Sequence, residues 1–260
     1  MPSAEKNRWI ADVNSDDGIK YRLFCFPYAG AGATVYRPWK MRLLPDIDVC
    51  PVQLPGRENR MAEQPIVDIR QMIPELVIAI KPYLDRPFAF FGHCIGALIA
   101  YELAGELQRR GLPQPDHVYA SAFRAPDYDN PNKILHALSE EEFKQELKGY
   151  GGISSVILEN DEVMGKLMPL FRADFALHEN YQATDLPELQ CPISVFGGTD
   201  DHIVQQEHMT GWADKTSALV TTKMFPGGHF FINNNRENIL ETIRENVNTK
   251  GYPPALPGRQ

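Results

Sequence analysis

A cysteine stands between two glycines in Gly92-His93-Cys94-Ile95-Gly96, directly after the apolar run Pro87-Phe-Ala-Phe-Phe91 and before a helix-forming stretch. A strand that ends in such a turn lifts the central side chain above its sheet, and flanking glycines relieve the crowding. The turn also sets the thiol at a helix N-terminus, where the dipole favours the nucleophilic thiolate. Cys94 is therefore the candidate nucleophile. The plainer alternative is a structural thiol in a glycine-rich turn. The pattern is short, and its strand-turn-helix setting is what gives it weight. His93, although adjacent, is expected to point away from the nucleophile and to shape the pocket.

Such a nucleophile needs a base, and the base needs an orienting acid. Of the seven histidines, His229 in Pro226-Gly-Gly-His229-Phe-Phe231 is the one that follows the last strand-like run. The acid should fall between nucleophile and base, after a late strand. Ile193-Ser-Val-Phe-Gly-Gly-Thr-Asp-Asp201 offers Asp201 and Asp200. Asp201 is preferred, and one of the pair could merely cap the next turn. An oxyanion hole needs two backbone N–H donors. Ile95, after the nucleophile, supplies one. The loop Phe26-Pro-Tyr-Ala-Gly-Ala-Gly32 supplies the other near Ala29. That loop could instead cradle phosphate, but it contains neither G-K-[ST] nor G-x-G-x-x-G.

These residues must be carried by strands and helices in alternation. Apolar runs at 21–27, 47–54, 87–91, 117–121, 193–196 and 218–225 read as strands. Helical spacing appears at 67–84, 97–110 and 234–248, with Pro74 marking either the start of the first helix or a kink in it. Alternation of this kind implies a mostly parallel sheet with helices on both faces. Residues 130–181 break the rhythm: LHALSEEEFKQELKGY and DEVMGKLMPLFRADFALHENY are helical and apolar, with Ser139 as an N-cap three residues before Glu142. This stretch is expected to form a helical lid insertion, with Phe143, Leu147, Val156, Phe171 and Phe175 facing partly the core and partly an acyl cleft. Ordinary crossover packing is the alternative. The tail, 251–260, reads as loose. The order Cys94, Asp201, His229 is that of an α/β-hydrolase fold.

A chain of 260 residues suits one such domain, here 1–260 with the insertion inside it. The net charge of -8 gives no reason to expect nucleic acid as a partner. None of the four cysteines forms a C-x-x-C pair, so no zinc or redox motif is indicated, and reduced thiols fit a cytoplasmic setting. Residues 1–17 are polar and lack the apolar stretch of a signal peptide. No apolar run approaches the ~18 residues of a membrane span.

The chain resembles the type II thioesterases of polyketide and nonribosomal peptide assembly lines. The resemblance runs from Tyr21 to Asn248 through FPYAGAG with YRPW, QLPGRENR, FGHCIGALIAYELA, LMPLFRADFALHENY, FGGTDDHIV and FPGGHFF. It implies a lidded α/β-hydrolase that frees aberrant, stalled or finished acyl groups from the phosphopantetheine arm of an acyl or peptidyl carrier protein. No cofactor is then required, since the arm belongs to the substrate. Two positions depart from the family pattern. Its nucleophile is usually Ser, here Cys94; the residue after its acid is usually Pro, here His202. The alternatives are acyl transfer or cyclisation onto an amine or alcohol, and a carrier-binding pseudoenzyme.

Overall fold

Six strands hydrogen-bond into one sheet: β1 (Tyr21–Phe26), β2 (Ile47–Pro51), β3 (Phe88–His93), β4 (His117–Ser121), β5 (Ile193–Gly198) and β6 (Val220–Phe225). The computed structural model describes residues 7–14, 16, 18–130 and 133–251. The tail from 252 onward and the first six residues, part of the polar N-terminal stretch, lie outside the described residues. All five strand pairings are parallel.

Solidly apolar strands still alternate by face. Tyr21, Leu23 and Cys25 of β1 share a core with Ala89 and Phe91 of β3, while Phe24 and Phe26 join Phe88 and Phe90 on the other side. The first face is covered by α1 (Arg37–Leu43) and α8 (Arg236–Thr249), through Trp39, Leu43, Ile239 and Ile243. The second is covered by α2 (Ile69–Ile80) and α3 (Ile95–Arg109), through Met72, Leu76, Leu98 and Leu103.

The strand order is β2-β1-β3-β4-β5-β6. Chain direction across the sheet reverses between β1 and β3. A crevice opens outside the carboxyl ends of strands at such a switch point, because the segments leaving the two strands go to opposite faces. The loop after β1 and the turn after β3 therefore flank one cleft.

Pro74 marks no helix start. The Asp68 side chain caps α2 by accepting from the Arg70 N–H, and the buried stripe Ile69, Met72, Ile73, Leu76 and Ile80 carries the helix through the proline. Between β4 and β5 the chain forms α4 (Glu140–Tyr150), a single turn α5 (Ser155–Leu158) and α6 (Asp161–Glu179). Ser139 and Glu142 form the expected reciprocal cap, each side chain accepting from the other's backbone N–H. These helices have a core of their own, with Leu135, Phe143, Leu147, Leu158, Met164, Met168, Phe171 and Phe175. Val156 departs from the expectation for this segment. It is 76% exposed, because the one-turn α5 has too little surface to bury both faces. A short α7 (Phe231–Asn234) precedes α8. Among the described residues no helix is long and apolar enough to cross a membrane.

Candidate active site

Cys94 occupies the turn between β3 and α3 with φ 54° and ψ -126°, a conformation an L-residue adopts only under constraint. Its N–H donates to the Ser121 carbonyl at 2.8 Å. Glycine is required on both sides. A β-carbon on Gly92 would come within 2.0 Å of the Gly96 carbonyl oxygen, and one on Gly96 within 2.2 Å of the Phe26 carbonyl oxygen. The turn thus packs directly on the end of β1. Ile95 begins α3, so its N–H has no partner inside the helix. Among the described residues no hydrogen bond takes up the N–H of Ile95 or of Ala29.

The loops after β5 and β6 are tied backbone to backbone, the Asp200 N–H donating to the Gly227 carbonyl at 2.9 Å. This brings His229 Nδ1 within 2.9 Å of Asp201 Oδ2, with both side chains buried. The other carboxylate oxygen, Oδ1, accepts from the N–H groups of Ile203 and Val204 at 2.9 and 3.0 Å. Asp201 thus both meets the histidine and caps its own loop. Asp200 is exposed.

Burial pushes the Asp201 carboxyl up, but the hydrogen bond from His229 and the two loop N–H groups outweigh it and hold the group below the usual carboxylate range. Burial alone would push His229 down. Asp201 and the neighbouring Cys94 charge overcome that and raise it to about 10. His229 Nε2 is buried, with the Cys94 side chain as its neighbour. His93 does not line the cavity but is fully buried behind His229 and Phe230, with Nδ1 2.9 Å from Ser121 Oγ. Burial and then the His229 charge depress it to about 3, so it stays neutral.

Cys94, His229 and Ala29 line one cavity with Leu147, Tyr150, Gly152, Ile153, Phe171, Phe175 and Phe230. Its volume is about 30 Å³, enough for a water and not for an acyl chain. Cys94 is the accessible thiol of the four; Cys25, Cys50 and Cys191 are buried. Burial raises those three, Cys191 to about 12.

The structure thus gathers Cys94, His229, Asp201, Ala29 and the Ile95 N–H at the ends of β1, β3, β5 and β6. Sequence reading passed over Tyr150. This last residue of α4 sets its ring edge-on to His229, centroids 5.9 Å apart. Burial, then the Cys94 charge, pushes its phenol well up. Nothing in the run Lys148-Gly-Tyr-Gly-Gly152 marks it, because its role depends on where α4 is laid down.

A Gly-flanked turn after a central strand, with an aspartate and a histidine paired on the loops after β5 and β6, is the arrangement of an α/β-hydrolase. Residues 21–247 match the family model described as thioesterase domain. The gramicidin S biosynthesis protein GrsT of Aneurinibacillus migulanus is 36% identical, over 92% of this chain and 93% of its own. A Brevibacillus parabrevis protein named linear gramicidin dehydrogenase LgrE is 38% identical over 93% of each chain. The type II thioesterase BorB from the borrelidin biosynthetic cluster superposes with a TM-score of 0.85 at 32% identity, covering 94% of this chain and 100% of its own. The chain belongs to the thioesterase family. It is a thioester hydrolase of the α/β-hydrolase fold.

Proposed function

We propose that this protein hydrolyses acyl groups from the phosphopantetheine thioesters of carrier proteins, through a Cys94-His229-Asp201 triad and an acyl-Cys94 intermediate. The observation that carries the triad is the pairing of a buried His229 Nε2 with an accessible Cys94 on one cavity wall, with Asp201 on the other ring nitrogen. The assembly-line setting draws on the gramicidin and borrelidin relatives.

In this reading Cys94 gives its proton to His229 as the sulfur attacks the thioester carbonyl, and the N–H groups of Ala29 and Ile95 bind the oxyanion. The intermediate collapses, the carbon–sulfur bond to pantetheine breaks, and His229 returns the proton to the departing thiol. A water then attacks the acyl-Cys94 with His229 as base. The acid leaves and the thiol is restored. Asp201 holds the imidazole in its tautomer and offsets its charge. Residues 130–181 act as a lid on this single domain, because Leu147, Tyr150, Ile153, Phe171 and Phe175 from this stretch wall the cavity beside Cys94. No cofactor takes part. Acyl transfer to an amine or alcohol would use the same first half and differ only in what attacks the acyl-enzyme. A carrier-binding pseudoenzyme would form no acyl-Cys94.

Intact-mass analysis with a set of acyl-pantetheine thioesters tests the proposal. The expected results are an acyl adduct on Cys94 and release of free acid. Cys94→Ala should abolish both. Full turnover by Cys94→Ala would sink the triad, and amide or ester products in place of acid would sink hydrolysis.

A further inference from the structure

The loop bearing Ala29 is held by two charged residues that lie far apart in sequence. Asp174, in the middle of α6, accepts the Gly30 N–H on Oδ2 at 2.7 Å. Arg57, on the loop after β2, meets the same carboxylate with both arms, Nη1 to Oδ2 and Nη2 to Oδ1, each at 2.8 Å. Arg57 Nη1 also donates to the Ala31 carbonyl at 3.1 Å. Arg57 is 3% exposed and Asp174 1%. One helical turn earlier on α6, the Phe171 ring lies against Gly30, in the space a β-carbon would take. The Tyr28 carbonyl, in the same peptide plane as the Ala29 N–H, is itself fixed by the Ala31 N–H at 3.0 Å. The peptide units around the Ala29 N–H are thus tied down, two of them by this ion pair.

Stability does not account for such a pair. A buried ion pair costs several kcal/mol of desolvation per ion, and a well-packed apolar pair is often as stable or more so. An apolar pair could not accept the Gly30 N–H or donate to the Ala31 carbonyl. We propose that Arg57 and Asp174 are positioning residues for the oxyanion hole. They set the orientation of the Ala29 N–H and make it depend on α6 being seated. The inference rests on the reading of Ala29 as an oxyanion donor. It divides the insertion: α6 is a fixed wall of the site, and opening belongs to α4 and α5.

The double variant Arg57→Met/Asp174→Leu removes both charges while keeping the interior filled. Two reactions of Cys94 separate positioning from general damage. Alkylation by iodoacetamide is a displacement at saturated carbon and forms no oxyanion. Hydrolysis of an acyl-pantetheine thioester forms one. A donor displaced by about an ångström costs roughly 10²-fold. The expected result is unchanged alkylation with kcat/KM lowered roughly 10²-fold, the loss falling in kcat. Hydrolysis at the unsubstituted rate overturns the proposal, and so does an equal loss of both reactions. Hydrogen exchange in the unsubstituted protein gives a second, independent reading. The Gly30 amide should be as protected as the amides around Asp174; rapid exchange at Gly30 beside a protected α6 also overturns it. The acyl-Cys94 adduct of the unsubstituted protein, run in parallel, reports on the catalytic reading separately.

Discussion

On the proposed mechanism, sulfur rather than oxygen at position 94 changes which step decides the outcome. Transfer from pantetheine to Cys94 would exchange one thioester for another and be nearly balanced, so attack on the acyl-enzyme by water or another acceptor would decide the outcome. The sulfur also supports the charge on His229, which Asp201 and Cys94 together hold at about 10. Cys94→Ser replaces the sulfur that raises His229 with a hydroxyl oxygen. The His229 value should therefore fall, and a histidine NMR titration of the two proteins measures the shift directly; an unchanged or higher value would contradict the coupling. Asp201→Asn should lower kcat by up to ~10⁴, whereas Asp200→Asn, altering an exposed side chain, should change it little. If steady-state kinetics find Asp200→Asn to be the crippled variant, the acid has been misassigned. That Cys94, His229 and Asp201 come together was legible because each sits at a fixed offset from a strand end. Arg57 and Asp174 were not, being 117 residues apart with no local pattern joining them.

Among the elements, strands were read most reliably. Runs such as Phe88-Ala-Phe-Phe91 are apolar on both faces, which in a chain of this length only the middle of a covered sheet requires. Helix ends were read less well. The sequence left open a start or a kink at Pro74, and Asp68 with the apolar stripe removes the first by beginning α2 at Ile69. The helices between β4 and β5 were legible as helices from their apolar spacing and the Ser139 cap, but spacing says nothing about which of them move. Their packing does. α6 carries Asp174 into the body of the protein, while α4 buries only Phe143 and Leu147 and α5 only Leu158. Amides of α4 and α5 should exchange faster than those of α6, and a non-hydrolysable acyl-pantetheine mimic should slow them. Uniform protection across the three helices, unaltered by the mimic, would argue for a rigid insertion.

For the molecule as a whole, buried histidines set opposing limits on stability. Burial depresses His93 and His178 to about 3 and His117 to about 4. These groups stay neutral when folded, so below the unfolded value of 6.5 the unfolded chain binds more protons and stability falls with pH. His229 works the other way. Raised to about 10, it adds stability that is complete below 6.5 and fades as pH rises. Urea midpoints taken across this range should peak between about pH 6 and 7, and a maximum in the alkaline range would contradict the assignment. Packing at the centre is the larger quantity. Phe91, wedged against Trp39 with ring centroids 4.6 Å apart, should cost about 3–5 kcal/mol on truncation to Ala, read from denaturant unfolding. The strand order has a consequence of another kind. Bond cleavage is organised where β1 meets β3, whereas α4 and α5 are spliced in beyond β4. Apart from the end of α4 at Tyr150, which meets His229, those two helices can be lengthened, shortened or recomposed without disturbing the strand ends that hold Cys94 and Asp201. What the enzyme admits and how it cuts are, in this architecture, separately heritable.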